Sequence, residues 1–232
     1  MKLNLKLNVI ENVASIQHQI TSDKEQKENF EFRAADGRVP GRRGRETRDR
    51  LLSATSELLK STGYRDLRVV DIANEAGNSP ATFYQYFPDV EAAVLVLGVQ
   101  ITKICNEELP ALIRSSDWKN EPDEAAIKVV EGFLQLWSQY GAVLKVLESG
   151  SQEKSDPLRN LRNGLFDGPA EAFVEVADFN GSTQDSKAIS GILVSMLVHV
   201  SNHQFGLEEW GVERKSLVKT LSRILKQSLV FD

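Results

Sequence analysis

Residues 70–87 read Val-Asp-Ile-Ala-Asn-Glu-Ala-Gly-Asn-Ser-Pro-Ala-Thr-Phe-Tyr-Gln-Tyr-Phe, the punctuation of two short helices joined by a tight turn. Ile72 and Ala76 recur at the i, i+4 spacing of a buried helical face, and Ala73 is small enough for a second helix to cross closely. Gly77 supplies the left-handed conformation that closes a helix. Ser79 is a helix cap, and Pro80 stands at the first helical position, where its missing N–H costs nothing. Phe83 and Phe87, four apart, then bury the inner side of the second helix. The spacing predicts helices over 69–76 and 80–87. Thr82, Tyr84, Gln85 and Tyr86, with Pro80 and Ala81 at the helix start, are left facing outward.

Upstream, Arg42-Arg43-Gly44-Arg45 reads as a flexible basic arm, and Thr47 as the cap of a helix beginning near Arg48. Leu51, Leu52, Thr55, Leu58 and Leu59 give that helix one buried face, and Gly63 ends it. Downstream, Pro88 and Asp89 open a long helix over 90–109, closed by Pro110. Helical periodicity continues over about 122–140, 141–150, 157–178, 185–207 and 213–230. Gly141, the polar residues 150–156, Asn180-Gly181 and Trp210-Gly211 mark the breaks. No pair of alternating runs is joined by a hairpin turn. The expected fold class is all-α, with a three-helix unit at 41–89 followed by a larger helical domain at 90–232. Residues 1–40, where Leu3, Leu5, Leu7 and Val9 alternate ahead of a polar stretch, read as a flexible extension.

The chain has 232 residues, 41% hydrophobic and 26% charged, enough for a substantial core. Its net charge of −5 hides a split. Residues 33–68 carry ten Lys/Arg against five acids, whereas 69–232 carry 14 against 23. One small region is therefore built for a polyanion and the remainder is not. No apolar run reaches the ~18 residues of a membrane helix, and the first ten residues lack the continuous apolar segment of a signal peptide. A single cysteine, Cys105, excludes an internal disulfide and points to a reducing, cytoplasmic setting.

Hydroxyls, an amide and phenols around a helix N-terminus suit the major groove of duplex DNA. Hydroxyls and helix-end amides hold phosphates. Gln85 can pair bidentately with adenine, and Ala81 or Thr82 can touch a thymine methyl. Arg42, Arg43 and Arg45 stand just before the first helix, placed to neutralise phosphates.

Residues 45–95 resemble the DNA-binding domain of the tetracycline-repressor (TetR) family of bacterial regulators. The likeness rests on helix one (47–63), on Asp71-Ile72-Ala73 with Ala76-Gly77, and on Thr82-Phe83-Tyr84-Gln85-Tyr86-Phe87 leading to Glu91-Ala92. It implies DNA contacts from Ser79, Pro80, Ala81, Thr82, Tyr84, Gln85 and Tyr86, and a backbone contact from Thr47. It also implies a dimer through the last two helices, a palindromic operator and a small-molecule effector. Val90 stands where the family usually has Lys, Arg68 where it has a Ser/Thr cap, and Asn78 where a buried Val is common. Arg68 offers a replacement cation. The alternative reading is a helical ligand-sensing or scaffold protein with a weakened reading head.

In the second domain Phe133, Trp137 and Tyr140 recur at i, i+4, i+7 as a broad aromatic face. With Phe166, Phe173, Met196, His199, Asn202 and His203 they form the expected lining of a mostly apolar effector pocket. Ile189, Leu193, Leu197 and Val200, with Leu217, Leu221 and Leu225, are the expected dimer seam. His199 and His203 have metal-binding spacing but lack further ligands in sequence, so no metal is expected. No cofactor is expected either. The Gly-x-Ser-x-Gly and phosphate-loop signatures of enzymes are absent from the sequence, so the protein is expected not to be an enzyme.

Overall fold

A computed structural model of the chain describes residues 41–150, 156–181 and 185–230; the extension expected at 1–40 lies outside them. Every regular element among the described residues is helical, as the periodicity predicts. The described residues divide into two compact units, 41–100 with 142–150 and 156–162, and 101–141 with 163–181 and 185–230.

In the first unit, α1 (Arg42–Leu58) buries Leu51, Leu52, Ala54 and Thr55. The Thr55 hydroxyl is satisfied by donating to the Leu51 carbonyl at 2.8 Å. A 3-10 turn (Tyr64–Asp66) leads to α2 (Val69–Glu75) and α3 (Pro80–Tyr86), which pack on one another and, through α2, on α1. The arm foreseen at Arg42–Arg45 is instead the first turn of α1. Arg45 N–H donates to the Gly41 carbonyl, and Arg42 pairs with Glu46 at i, i+4. Thr47 is accordingly not a cap: its hydroxyl donates back to the Arg43 carbonyl at 3.0 Å. Gly98 leaves room for Leu147 and Leu161; a Cβ there would meet their methyls at 3.0 and 3.1 Å.

The long helices outlast their expected breaks. α4 (Val90–Ser115) passes through Pro110, and α5 (Pro122–Gly150) passes through Gly141. A mid-helix proline deprives the carbonyl four residues earlier of its donor. That carbonyl, on Asn106, faces the close approach of Gly168. At Gly141 the helix cost of roughly 1 kcal/mol is outweighed by burial of Trp137, Val143, Leu144 and Leu147 on either side.

In the second unit the segment expected as one helix over 157–178 is two, α6 (Asp156–Asn163) and α7 (Asp167–Phe179). Asn106 makes the turn between them. Its amide donates to the Gly164 carbonyl at 2.8 Å, and its Oδ1 accepts the Gly168 N–H at 2.6 Å. α8 (Ser186–Asn202), capped by Asp185, packs along α7, with the Ser190 hydroxyl donating to the Ala170 carbonyl. The helix expected to reach 207 breaks at His203, giving α9 (Gln204–Glu209); α10 (Arg214–Leu229) follows. The breaks foreseen at Gly181 and Gly211 are present, with φ of 76° and 97°.

Candidate nucleic-acid interface

The turn between α2 and α3 is built as its residues dictate. Gly77 adopts φ 66° and donates to the Asn74 carbonyl, while Asn78 N–H reaches the Ala73 carbonyl at 2.8 Å. These bonds close the end of α2 in a left-handed cap. The Asn78 side chain donates to the Ala76 carbonyl, so the residue found in place of a buried apolar one secures the turn by a hydrogen bond. Ser79 caps α3, accepting the Thr82 N–H at 3.2 Å, and Pro80 occupies the first helical position.

α3 is anchored from behind by Phe83 and Phe87, both fully buried, their ring centroids 5.4 Å apart. Pro80, Ala81, Tyr84 and Gln85 face outward, with Tyr84 41% exposed and set edge-on to Phe83. Thr82 is half-buried, its hydroxyl 3.0 Å from that of Ser79. Tyr86 corrects the expected outer face: it is 9% exposed and belongs to the core. Residues three apart share a helical face, so Tyr86 follows Phe83 inward. The helix ends at Tyr86, and Phe87 is buried from an extended backbone (φ −134°, ψ 133°) rather than from the next helical position.

The basic residues of this unit are held unequally. Arg42, Arg43 and Arg45 are exposed in the first turn of α1. Arg68 is held by Asp71 through two bonds of 2.8 and 3.1 Å, which raise the guanidinium pKa and lower that of the carboxyl. Its side chain nevertheless stays 73% exposed, so the charged guanidinium remains open to solvent. Arg48, not singled out in the sequence, lies over the Phe87 ring at 5.7 Å with only 14% of its side chain exposed. Burial lowers its pKa. It positions the end of α3 against α1, and its place one turn before Leu51 and Leu52 was the signal available. Tyr64 is half-buried near the start of α4, its phenol pushed up to about 12 by burial and by the carboxylates of Glu91 and Asp89. Asp89 caps that helix by accepting the Ala92 N–H.

In the second unit four of the expected pocket residues come together. Phe166 stacks on Trp137 at 5.4 Å and on Phe133 at 6.4 Å, and Phe133 stacks on Phe173 at 6.5 Å. Phe133, Trp137 and Phe173 are buried, and the Trp137 Nε1–H finds no acceptor among the described residues. Tyr140, Met196 and Asn202 are half-buried. His199 and His203 pair ring to ring at 4.5 Å but are exposed, so they do not join the aromatic cluster. The leucines expected at the dimer seam, Leu193, Leu197, Leu217, Leu221 and Leu225, are buried within the unit itself. They form the inward stripe of α8 and α10, which leaves Ile192 at 68% and Ile224 at 38% exposure on the outside. No helix among the described residues is long and apolar enough to cross a membrane.

Two family models match the sequence: bacterial regulatory proteins of the tetR family over residues 51–93, and the tetracyclin repressor-like C-terminal domain over residues 109–230. No curated protein sequence matches. Solved structures resemble the fold at low identity. The fatty acid degradation regulator FadR from Bacillus halodurans shares 16% identity, covering 81% of this chain and 96% of its own, with a TM-score of 0.62. The MbdR regulator from Azoarcus sp. CIB shares 17%, covering 80% and 100%, with a TM-score of 0.63. FadR from Bacillus subtilis, solved in complex with stearoyl-CoA, shares 16%, covering 78% and 97%, with a TM-score of 0.58.

Proposed function

The chain belongs to the tetracycline-repressor family of bacterial, ligand-responsive DNA-binding transcriptional regulators, and on that premise we propose that it is a cytoplasmic, non-catalytic repressor. It binds a palindromic operator as a homodimer and is released by a small, largely apolar effector. The observation that carries this reading is the solvent-facing start of α3. There Pro80, Ala81, Tyr84 and Gln85 project beside the Ser79 cap while buried rings fix the helix from behind. Such a helix reads few base pairs, so selectivity calls for two copies about one duplex turn apart. The seam that supports this pairing is the outer face of α8, with exposed Ala188, Gly191, Ile192 and Ser195, together with Ile224 of α10.

The effector reading rests on the aromatic cluster around Phe166 and on the buried Trp137 N–H, which favours an apolar molecule carrying one hydrogen-bond acceptor. The likeness to a FadR bound to stearoyl-CoA makes long acyl thioesters the first class to test. An effector releases DNA only by preferring the non-binding conformation, and a tenfold loss of affinity needs ~1.4 kcal/mol of preference.

Fluorescence anisotropy against duplexes from the gene's upstream region tests the reading. One palindromic fragment is expected to bind at least roughly a hundredfold more tightly than random DNA, and stearoyl-CoA to release it. Gln85→Ala is expected to relax one base-pair position by ~1–3 kcal/mol. Arg43→Ala should instead weaken all sequences and flatten the salt dependence. Equal behaviour of the two variants would sink the division between base reading and phosphate holding.

A further inference from the structure

The second unit contains a groove that the regulator reading leaves unused. α10 carries Arg214, Lys215, Lys219, Arg223 and Lys226 and not one acidic residue. It runs antiparallel to the first half of α5, and polar contacts pin the pair at both ends. At one end Lys226 Nζ meets Asp123 Oδ2 at 2.8 Å. At the other, Gln204 donates to the Leu134 carbonyl while accepting from Arg214 Nη1 at 3.0 Å. Between these pins the helices leave a cavity of about 610 Å³ lined by Asp123, Ile127, Glu131, Val218, Lys219 and Ser222, with Lys215 and Arg223 on the same wall.

Three features give the cavity a ligand chemistry. Lys215, Lys219 and Arg223 follow one another at i, i+4, i+8, so they line the groove at intervals of about 6 Å. None of them forms an ion pair among the described residues. Ser222 lines the cavity and is 5% exposed, and its buried hydroxyl finds no partner among the described residues. A buried polar atom left unmatched is destabilising, and an acceptor reaching it from the groove would remove that cost. Ile127 on α5 and Val218 on α10 supply an aliphatic surface, and Glu131 offers one acceptor. The volume lies within the ~300–1,000 Å³ of small-molecule sites.

We propose that the groove between α5 and α10 is a small-molecule site for an organic phosphate ester of nucleotide size. Its phosphates lie along Lys215, Lys219 and Arg223, one oxygen accepts from Ser222, and its apolar part covers Ile127 and Val218. The site is separate from the aromatic cluster and compatible with pairing of two copies. Ile224, on the seam side, sits roughly 140° around α10 from Lys219 at 3.6 residues per turn.

Calorimetric titration of the full chain with ADP, inorganic pyrophosphate and adenosine tests this. ADP is expected to bind, pyrophosphate to compete with it, and adenosine to bind at least about tenfold more weakly, with ADP weakening as salt rises. Lys219→Gln combined with Arg223→Gln should weaken ADP at least about tenfold, and Ser222→Ala about threefold or more. Glu131→Gln, which removes the carboxylate beside the phosphates, should tighten it by about twofold or more and decides the matter if the paired variant loses helicity. The proposal is overturned if millimolar ADP and pyrophosphate give no heat, if adenosine matches ADP, or if ADP ignores either the paired substitution in a folded variant or Glu131→Gln.

Discussion

Gly77 and Gly168 stand at corresponding junctions of the two units, one between α2 and α3, the other at the start of α7. They are glycine for opposite reasons. Gly77 has φ 66°, and a Cβ built on it would meet nothing within 4 Å. Its requirement is conformational. Gly168 sits in helix, and a Cβ there would stand 2.9 Å from Asn106 Oδ1, 2.9 Å from Pro110 Cγ and 3.0 Å from the Asn106 carbonyl oxygen. Its requirement is spatial. A conformational need is written in the neighbouring residues, because a cap and a proline follow Gly77 at fixed offsets. A spatial need depends on Asn106 and Pro110, some sixty positions away.

Substitution by alanine separates the two and gives the largest expected effect. Gly168→Ala pushes a methyl into backbone and ring atoms that cannot swing aside, and should cost ~2–3 kcal/mol. Gly77→Ala strains only its own φ, at ~1–2 kcal/mol. Asparagine sharpens the contrast: Gly77→Asn should recover part of the alanine loss because Asn tolerates left-handed backbone, whereas Gly168→Asn should be at least as harmful as Gly168→Ala. Urea midpoints at constant m-value are the measurement. Equal costs at both positions would mean that the close approach at Gly168 is not what holds the turn.

Tyr64 probes the first unit by pH. Its phenol is raised from an ordinary value of 10.0 to about 12, so folding favours the neutral form. That contribution is complete below pH 10 and is lost as pH climbs through about 12. With the phenol partly exposed, the contribution is roughly 1–2 kcal/mol. Cys105, its thiol also pushed up to about 12 by burial, adds loss of the same sign. The readout is therefore the difference between the parent and Tyr64→Phe. The variant should lose less stability between pH 10 and 12, and parallel profiles would remove Tyr64 from the account.

What could be read in the sequence follows the same division. The helix-turn-helix was legible to the residue at Gly77, Ser79, Pro80, Phe83 and Phe87, since short-range rules place each of them. Tyr86 departs from the outer face because α3 ends at it and Phe87 lies off the helical wheel, which leaves Phe83 and Tyr86 to define the inner side. Pro110 and Gly141 were read as helix breakers because local propensity is all a sequence displays. In the folded chain, packing around Asn106 and burial beside Trp137 outweigh it. Leu193, Leu197 and the α10 leucines fit an inner stripe and an intersubunit seam equally well by periodicity alone. Only their burial within the unit distinguishes the two. The Arg68–Asp71 pair sits at i, i+3, a spacing open to inspection, but whether an arginine folds back or projects is a matter of rotamer.

The smallest expected effect lies at the start of α3. Ser79 accepts the Thr82 N–H at 3.2 Å and lies 3.0 Å from the Thr82 hydroxyl. Ser79→Ala should therefore cost about 1 kcal/mol, and Ser79→Gly only a few tenths. The contrasting residue is Asn106, which satisfies two partners across 58 and 62 positions. Asn106→Ala leaves the Gly164 carbonyl and the Gly168 N–H without that partner and should cost ~1–3 kcal/mol. The Thr82 hydroxyl meets the Ser79 hydroxyl as well, so Ser79→Ala also frees the Thr82 side chain on the outward helix start. The cap substitution should accordingly reduce affinity for the preferred duplex by more than its stability cost implies, whereas Asn106→Ala should change stability alone. If anisotropy shows Ser79→Ala binding duplex as tightly as the parent at a temperature where both are folded, the capped start of α3 is a folding device and not part of the reading surface.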